Sequence, residues 1–455
     1  MEKTYQRIAR HFKKLIRGLA GGFILSSALW AYAADAQEIK LISDEETETF
    51  LADIVKPLFK AAGVKFYRNN IFIVEDNSLN AFVSDGNRLF VHTGTLIKAD
   101  NANEISGVLA HETGHIMGGH ILRQKLKNQD MREVTLISAI LAGTTAALSG
   151  RGDMAMAVLL GGQSSALTHY TKYRANEERA ADESAAKLLN QTRQSSQGLL
   201  TFMKKITLDN QLNGREETPY FRTHPVTKER ISFFEKVMST SPYSAATPLD
   251  ERFVRIKAKL KSYLQPPEQT LRDYPLSRND IPAQYAQAIA FMKQLKFAQA
   301  LQKMDNLLAA EPDNPFFYEL KGQILLETGK IKAAKQNFAK AYSLLPNSHL
   351  MQINYAQAIL EDNPSRQQAK QAVTLLNQSL IRSQSSFAFM LLAKAYGILG
   401  DMAAANYASA EYSFRIGNIA AARHQLKEAL RYNAPQQLKL KIDDLNLRLK
   451  QLDKE

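Results

Sequence analysis

Two histidines and a glutamate are spaced so that they can hold and use a metal ion. They belong to the stretch 110–115, AHETGH. On a helix His111 and His115 lie one turn apart, about 40° around the axis, so both imidazoles can converge on one tetrahedral zinc ion. Glu112 then lies beside the metal and can take a proton from a zinc-bound water that attacks a peptide carbonyl. The motif predicts one Zn2+ per chain and zinc metalloendopeptidase chemistry.

The flanking residues predict that this motif lies on a helix. Asn101 is typical of a helix N-cap, and Glu104 follows three residues later. Because the chain has only nine histidines, a chance match to the motif is expected on the order of a per cent of the time. Apolar residues recur at helical spacing: Ile105, Val108, Leu109 and Ile116.

Three glycines and a further histidine stand near the end of this helix. Gly114, Gly118 and Gly119 predict close packing against a neighbouring element. His120 comes nine residues after His111, which on a continuous helix is the opposite face. We therefore interpret His120 as a packing residue or a partner of a ligand, and not as a ligand.

An acidic stretch further along can complete a zinc site. Residues 173–182 have high helix propensity. A zinc ion held by two histidines needs a third protein ligand, which a glutamate from a following helix commonly supplies. Glu178 could bind zinc while Asp182, one turn later, hydrogen-bonds the outer nitrogen of a ligand imidazole. Without the histidine motif, this stretch would be interpreted as a solvated charged helix.

A His-Pro step adds another candidate. A lone histidine such as His224 is usually a surface residue. With a zinc site present, His224 could stabilise a developing oxyanion, or occupy the open metal position in a resting enzyme. Pro225 stiffens the step, and Arg230 could assist electrostatically.

Taken together, these motifs resemble the zinc metallopeptidase family that includes the heat-shock membrane protease HtpX and the CAAX prenyl proteases. The matching residues are His111-Glu112-x-x-His115, Glu178-x-x-Ala181-Asp182 and His224-Pro225. The resemblance implies that His111, His115 and Glu178 bind zinc and that Glu112 is the general base. It implies a resting-state or substrate-stabilising role for His224.

One departure from the family pattern leaves the third ligand open. Arg174 falls four residues before Glu178, whereas the family commonly has a Ser-Arg pair two residues before its glutamate motif. Glu177 is therefore a competing ligand. Glu178 is preferred because it keeps the Ala181-Asp182 pair at the expected offset.

The N-terminus has the features of a secretory signal peptide. Six basic residues precede an apolar run at 19–33, and A-x-A sites end at Ala33 and Ala36. We predict cleavage after Ala36 and, given the resemblance, a periplasmic location; an uncleaved membrane anchor is the alternative. The chain contains no cysteine, which excludes disulfides and a lipid-modified N-terminal cysteine.

Composition and charge limit the classes of partner. The chain of 455 residues is 45% hydrophobic and 23% charged, as expected for a globular protein of two or three domains. Its formal net charge of +13 favours anionic membrane surfaces or acidic polypeptides. No nucleic-acid motif is present, so we expect no nucleic-acid partner.

The peptidase domain is predicted to span 37–240, with a zincin-like α+β fold that is mostly helical with a small sheet. Residues 45–62 have the pattern of an amphipathic helix, and 64–67 and 71–74 that of strands. A turn at 84–87 between 80–83 and 89–92 predicts a hairpin. The edge of this sheet could hold an extended substrate as an added strand.

The apolar stretch 134–167 is interrupted by a charged break at 149–153. Each half is short for a membrane span, which favours two buried helices or a lid over a transmembrane hairpin. Peripheral contact of this region with a membrane is left open.

The C-terminal half repeats with the tetratricopeptide period. Residues 241–280 are predicted to be a linker with an amphipathic helix at 252–264, and 281–455 an all-α TPR solenoid. Pro312 and Pro346 stand 34 residues apart, the length of one such unit. About four helical hairpins should stack into a curved arm whose concave face binds a peptide or a partner. A plain helical bundle is the alternative.

These features together predict an exported zinc endopeptidase with a repeat arm. The resemblance implies that it degrades misfolded or misassembled outer-membrane proteins and supports their assembly. It also implies that the TPR domain contacts the β-barrel assembly machinery. The alternative is a periplasmic chaperone or assembly scaffold that acts through its repeats with little proteolysis.

Overall fold

The described part of the chain covers both the motifs and the repeats. The structure, a computed structural model, describes residues 40–84, 86–120, 174–213, 219–432 and 434–452. The predicted signal peptide at 1–36 and the apolar stretch at 134–167 lie outside these residues. Among the helices that are described, none is both long and apolar enough to cross a membrane.

A small sheet lies beside the motif helix. Its strands are β1 (Leu41–Ile42), β2 (Ile71–Val74), β3 (Ala81–Ser84) and β4 (Arg88–His92), in the order β1-β2-β4-β3. Strand β4 pairs parallel with β2 and antiparallel with β3, which confirms the predicted hairpin.

The predicted strand at 64–67 is wrong. These residues alternate between exposed and half-buried as a strand would, but they form no ladder and lead into a short 3-10 turn at Arg68–Asn70. The Phe66 ring packs edge-on against Phe59 of the first helix, 6.2 Å between ring centroids. Packing of alternate side chains against a helix thus produced the strand-like pattern without a partner strand.

Helices supply most of the peptidase region, as predicted. The first helix has a full N-cap, because the Asp44 side chain accepts a hydrogen bond from the Thr47 amide, and its apolar face is buried through Phe50, Ile54 and Leu58. The helices are α1 (Glu45–Ala61), α2 (Thr93–Lys98), α3 (Ala102–Gly118), α4 (174–191), α5 (Gln197–Asn213), α6 (Pro219–Thr223) and α7 (Lys228–Ser239).

The motif helix α3 begins where the sequence predicts and ends earlier than assumed. The Asn101 side chain accepts a hydrogen bond from the Glu104 amide at 3.0 Å, so the predicted cap is confirmed. The helix stops at Gly118, because Gly119 has the left-handed φ of +62° that terminates helices. His120 therefore does not lie on the opposite helix face, and that expectation is wrong.

Paired helices make up the C-terminal half. Helices α10, α12 and α14 begin at residues 281, 315 and 349, so the 34-residue period is confirmed. The described residues form five helical pairs rather than about four. The additional pair lies at 419–451, where the 34-residue period is not recognisable in the sequence. The helices are α8 (Asp250–Leu264), α9 (Pro267–Asp273), α10 (Ile281–Lys293), α11 (Phe297–Ala310), α12 (Pro315–Glu327), α13 (Ile331–Leu344), α14 (His349–Glu361), α15 (Arg366–Arg382), α16 (Ser386–Leu399), α17 (Met402–Arg415), α18 (Ile419–Arg431) and α19 (Gln436–Gln451).

The predicted fold class is thereby confirmed: a mostly helical N-terminal domain with a small sheet is followed by an all-α repeat arm. Helix α8, in the segment predicted to be a linker, packs against both parts. Its Phe253 stacks on Phe50 of α1 with ring centroids 5.7 Å apart, and Ile256 is buried in the same core. Helix α8 also packs along α10 of the first repeat.

The N-terminal end of α1 is joined to the repeat arm by buried charges. The Glu46 carboxylate, which is fully buried, accepts from Arg255 Nε at 2.7 Å and from the Tyr285 hydroxyl at 3.3 Å. The neighbouring Glu45 accepts from the Ser348 hydroxyl of the third repeat at 2.5 Å. Because a buried carboxylate is stable only when it is paired, these contacts hold the arm against the peptidase domain.

We predict that Glu46→Ala destabilises the chain strongly, because it leaves the half-buried Arg255 and the buried Lys259 without one of their carboxylate partners. The free energy of unfolding in urea should fall by about 3 kcal/mol. Asp53→Ala is the matched control on the same helix, since Asp53 pairs with Arg252 at the surface, and should cost less than about 1 kcal/mol. Equal losses in the two variants would contradict the role of the buried pair.

Candidate metal centre and active site

The motif helix and α4 approach each other closely at one glycine. A Cβ atom on Gly114 would lie 2.6 Å from the backbone oxygen of Ala181, so any larger residue would push the two helices apart. Ala181 lies between Glu178 and Asp182 on α4. The absence of a side chain at Gly114 therefore lets these two carboxylates reach the histidines.

Four side chains bring one donor atom each to a common point. Nε2 of His111 and Nε2 of His115 are 3.1 Å apart. The Glu178 carboxylate lies 3.4 Å from each of these nitrogens. Nδ1 of His224 lies 3.3 Å from His111 Nε2 and 3.0 Å from Glu178 Oε1. All four residues are buried, and the structure brings together the three predicted ligands with the His-Pro histidine.

The outer atoms of the cluster are held by further side chains. Asp182 Oδ1 lies 2.9 Å from Nδ1 of His111, so of the two motif histidines it is His111 whose outer nitrogen Asp182 contacts. Arg230 donates two hydrogen bonds to Asp182, at 2.6 and 2.9 Å, and its third nitrogen lies 2.9 Å from Glu178. On the other side, His120 Nδ1 lies 2.8 Å from His115 Nδ1. Because the helix ends at Gly118, His120 folds back to become a partner of His115.

Glu112 lies beside the cluster. Its carboxyl group is fully buried, and Oε1 lies 3.6 Å from Nε2 of His224. The Val83 backbone amide of β3 approaches this carboxyl without making a hydrogen bond of normal geometry. A buried glutamate that makes no hydrogen bond among the described residues, next to a group of metal-type donors, is suited to accept a proton from a reacting water.

The sequence analysis did not single out Tyr220. Its ring packs against the His224 imidazole, with centroids 4.7 Å apart, and its residue is fully buried. The hydroxyl has no hydrogen-bond partner among the described residues. Tyr220, in α6, stands four residues before His224, which directly follows that helix, so this one-turn spacing was the signal that could have found it.

Charge within the cluster is balanced by the same contacts. Burial alone would lower the pKa of His111, but the Asp182 and Glu178 carboxylates raise it to about 9. Burial lowers the pKa of His115 to about 3, with His111 and His224 adding to the effect. Burial would raise the pKa of Glu178, yet the three histidines hold it well below its usual range. Burial raises the pKa of Glu112.

These donors fit a tetrahedral metal ion. Ligand atoms about 2.1 Å from zinc at tetrahedral angles lie about 3.4 Å from one another. The distances among His111, His115, Glu178 and His224 given above lie close to that value. Ligands must also be deprotonated, which suits the lowered pKa values of Glu178 and His115, whereas the raised pKa of His111 means that a metal ion would have to displace a proton there. Glu177 is buried on α4 but is not among the converging donors, so the geometry favours Glu178 as third ligand.

Comparison with known families agrees with this site. Residues 45–238 match the model of Peptidase family M48. This segment holds α1 to α6, all but the last residue of α7, strands β2 to β4 and all the converging donors.

Some related proteins are similar to this chain over a longer stretch than the family model covers. The Beta-barrel assembly-enhancing protease of Escherichia coli K12 is 24% identical over 341 residues, which cover 73% of this chain and 68% of that protein. The resemblance drawn from the sequence is thereby confirmed. A Protease HtpX homolog of Chlorobium phaeobacteroides is 25% identical and covers 51% of this chain and 82% of its own length. MamA of Desulfovibrio magneticus RS-1 is a solved structure with 16% identity and a TM-score of 0.30 over 38% of this chain and 97% of its own.

We predict that Asp182→Asn weakens metal binding about 10- to 100-fold, because the amide cannot hold His111 and Arg230 as the carboxylate does. Competition with a chromophoric chelator would measure the affinity. Glu183→Gln is the matched control, an exposed neighbour on the same helix. Unchanged affinity in Asp182→Asn, with α4 intact by circular dichroism, would contradict the role of Asp182.

Proposed function

We propose that this chain is an exported zinc endopeptidase that cuts misfolded or misassembled outer-membrane proteins and supports their assembly. The observation that supports it most is the near-tetrahedral set of buried donors on His111, His115 and Glu178, with Glu112 beside it. Bound zinc would polarise the scissile carbonyl and make a water acidic enough to react near neutral pH.

The residues of this chain then have distinct tasks. His111, His115 and Glu178 would hold the ion, while Asp182 and Arg230 keep His111 and Glu178 in place. Glu112 accepts the proton of the attacking water and passes it to the leaving amine. Its raised pKa and dry surroundings suit a group that both takes and gives a proton.

His224 is proposed to have two positions in the cycle. Its Nδ1 lies beside the donor atoms of His111 and Glu178, where it would be a fourth ligand of a tetrahedral metal ion. The reacting water needs that coordination position. In the resting enzyme His224 would therefore hold that place. When it moves away, the imidazole stays near Glu112 and can stabilise the oxyanion that develops on the substrate.

The sheet and the repeat arm suit an unfolded protein substrate. Strand β3 is the edge of the sheet among the described residues and packs against α3, so an extended chain could pair with it beside the cluster. The printed name of the Escherichia coli relative connects that protein with β-barrel assembly. With the predicted signal peptide, this supports a periplasmic location and contact of the arm with the β-barrel assembly machinery.

A chaperone or scaffold function is the second candidate, and a cavity in the arm favours it. The cavity, about 490 Å³, opens between helices α15, α16, α17 and α19. Its wall includes the Phe389 ring, over which the Arg415 guanidinium lies at 4.3 Å. An aromatic and cationic wall can hold a polypeptide without cutting it.

We predict that Glu112→Gln lowers kcat for unfolded casein by roughly 10²- to 10⁴-fold, because the amide cannot accept the proton. Zinc content, measured by atomic absorption, should be unchanged, and Glu183→Gln should cut normally. A chelator should stop the wild type. Full cutting by Glu112→Gln would contradict the peptidase proposal. Absence of cutting in every form, with zinc bound, would favour the scaffold.

We predict that His224→Ala cuts casein faster than the wild type at saturating zinc, because the fourth place around the metal is then free for water. His424→Ala is the matched control, since His424 is an exposed histidine of the arm. A large loss of cutting in His224→Ala would instead show that substrate stabilisation outweighs the resting contact.

A further inference from the structure

Three phenylalanine rings form a row across one face of the sheet. Phe72 of β2 stands opposite Phe90 of β4, and Phe90 stands opposite Phe82 of β3. Ring centroids are 4.9 Å apart in both pairs, and the ring planes differ by 16° and 7°. This spacing equals the distance between neighbouring strands, so the rings stack strand upon strand.

The row is not part of the buried core. Side chains alternate along each strand, and Ile71, Ile73, Leu89 and Val91 fill the opposite face, which packs into the main core. The three phenylalanines are only half-buried. Among the described residues, the row ends at Phe82, because β3 is the last strand of the sheet.

The same edge strand faces the candidate active site with its other surface. Ala81 is fully buried in a cluster with Val108 of α3 and Tyr220, whose ring packs on His224. Strand β3 also packs along the motif helix α3. A chain that paired with β3 would thus send alternate side chains toward the metal cluster. The side chains between them would lie on the same face as Phe82.

We propose that Phe82 is a specificity-determining residue that selects an aromatic side chain in the substrate. This inference rests on the proposed function. A substrate strand added to β3 would lie one strand spacing beyond Phe82, and an aromatic residue opposite it would become the fourth ring of the row. Substrates would then be unfolded segments that alternate aromatic residues with other residues, the pattern of a strand with one aromatic face.

Ring stacking explains why the preferred residue would be aromatic. The rings of the row are nearly parallel, so Phe82 offers a flat surface to its next neighbour. Aromatic pairs across strands are worth enough to change kcat/KM roughly two- to tenfold between a phenylalanine and an aliphatic residue at the same position. Side chains alternate between the two faces of a strand. In the substrate, the aromatic residue would therefore be an odd number of positions away from any residue whose side chain faces the metal cluster.

The test compares Phe82→Val with Phe72→Val. Each variant removes one ring that stacks on Phe90, but only Phe82 lies on the edge strand. Zinc-loaded full-length protein would cut unfolded casein, and mass spectrometry would map the cleavage sites. Paired synthetic peptides, differing only by Phe or Val at the enriched position, would then give kcat/KM.

We expect the wild type to prefer Phe, Tyr or Trp at one position of the substrate by roughly two- to tenfold. Phe82→Val should lose that preference. Phe72→Val and the aromatic replacement Phe82→Tyr should both keep it. Circular dichroism would show that all variants fold. Cleavage without an aromatic preference, or equal effects of the Phe82 and Phe72 variants, would overturn this inference alone. Absence of metal-dependent cleavage by the wild type would overturn the proposed function and this inference together.

Discussion

The closeness of two helices at Gly114 is the constraint on which the candidate metal site depends. With a Cβ at that position only 2.6 Å from the Ala181 oxygen, α4 could not lie where it does. A shift of α4 by even 1 Å would move Glu178 and Asp182 together, because both stand on the turn that touches Gly114. The glycine inside the histidine motif therefore positions Glu178, the proposed third ligand, against the two histidines.

Packing that closely buries several charges, and the site is arranged so that each one has a partner. Arg230 joins Asp182 and Glu178, so one guanidinium compensates two carboxylates that also face histidines. Burial would lower the pKa of this guanidinium, but Asp182 and Glu178 raise it above its ordinary value, and it stays charged. Asp182 in turn fixes His111. Loss of any one member would leave another buried and unpaired, so the cluster acts as a unit.

Local patterns in the sequence predicted those parts of the site that depend on short-range spacing. The helix, its Asn101 cap and the pairing of His111 with His115 follow from residues within one or two turns. The choice of Glu178 over Glu177 was left open, because it depends on how α4 rotates against α3. The position of His120 was mistaken because Gly119 ends the helix, and helical periodicity no longer applies after a left-handed residue. The strand expected at 64–67 failed because residues that favour strands, such as Phe66, can pack against a helix without pairing in a sheet.

The contact between α1 and the repeat arm could not be seen from either segment alone, since its residues are up to 303 positions apart. It changes how the two parts must cooperate. Helix α1 lies in the same core as the sheet and α3, while Glu45 and Glu46 at its start pair with Ser348 and with Arg255 and Tyr285. Swinging the arm away would expose or unpair these buried carboxylates, which is costly. Under the proposed function, an unfolded substrate bound by the arm would therefore reach β3 through the flexibility of its own chain rather than through motion of the repeats.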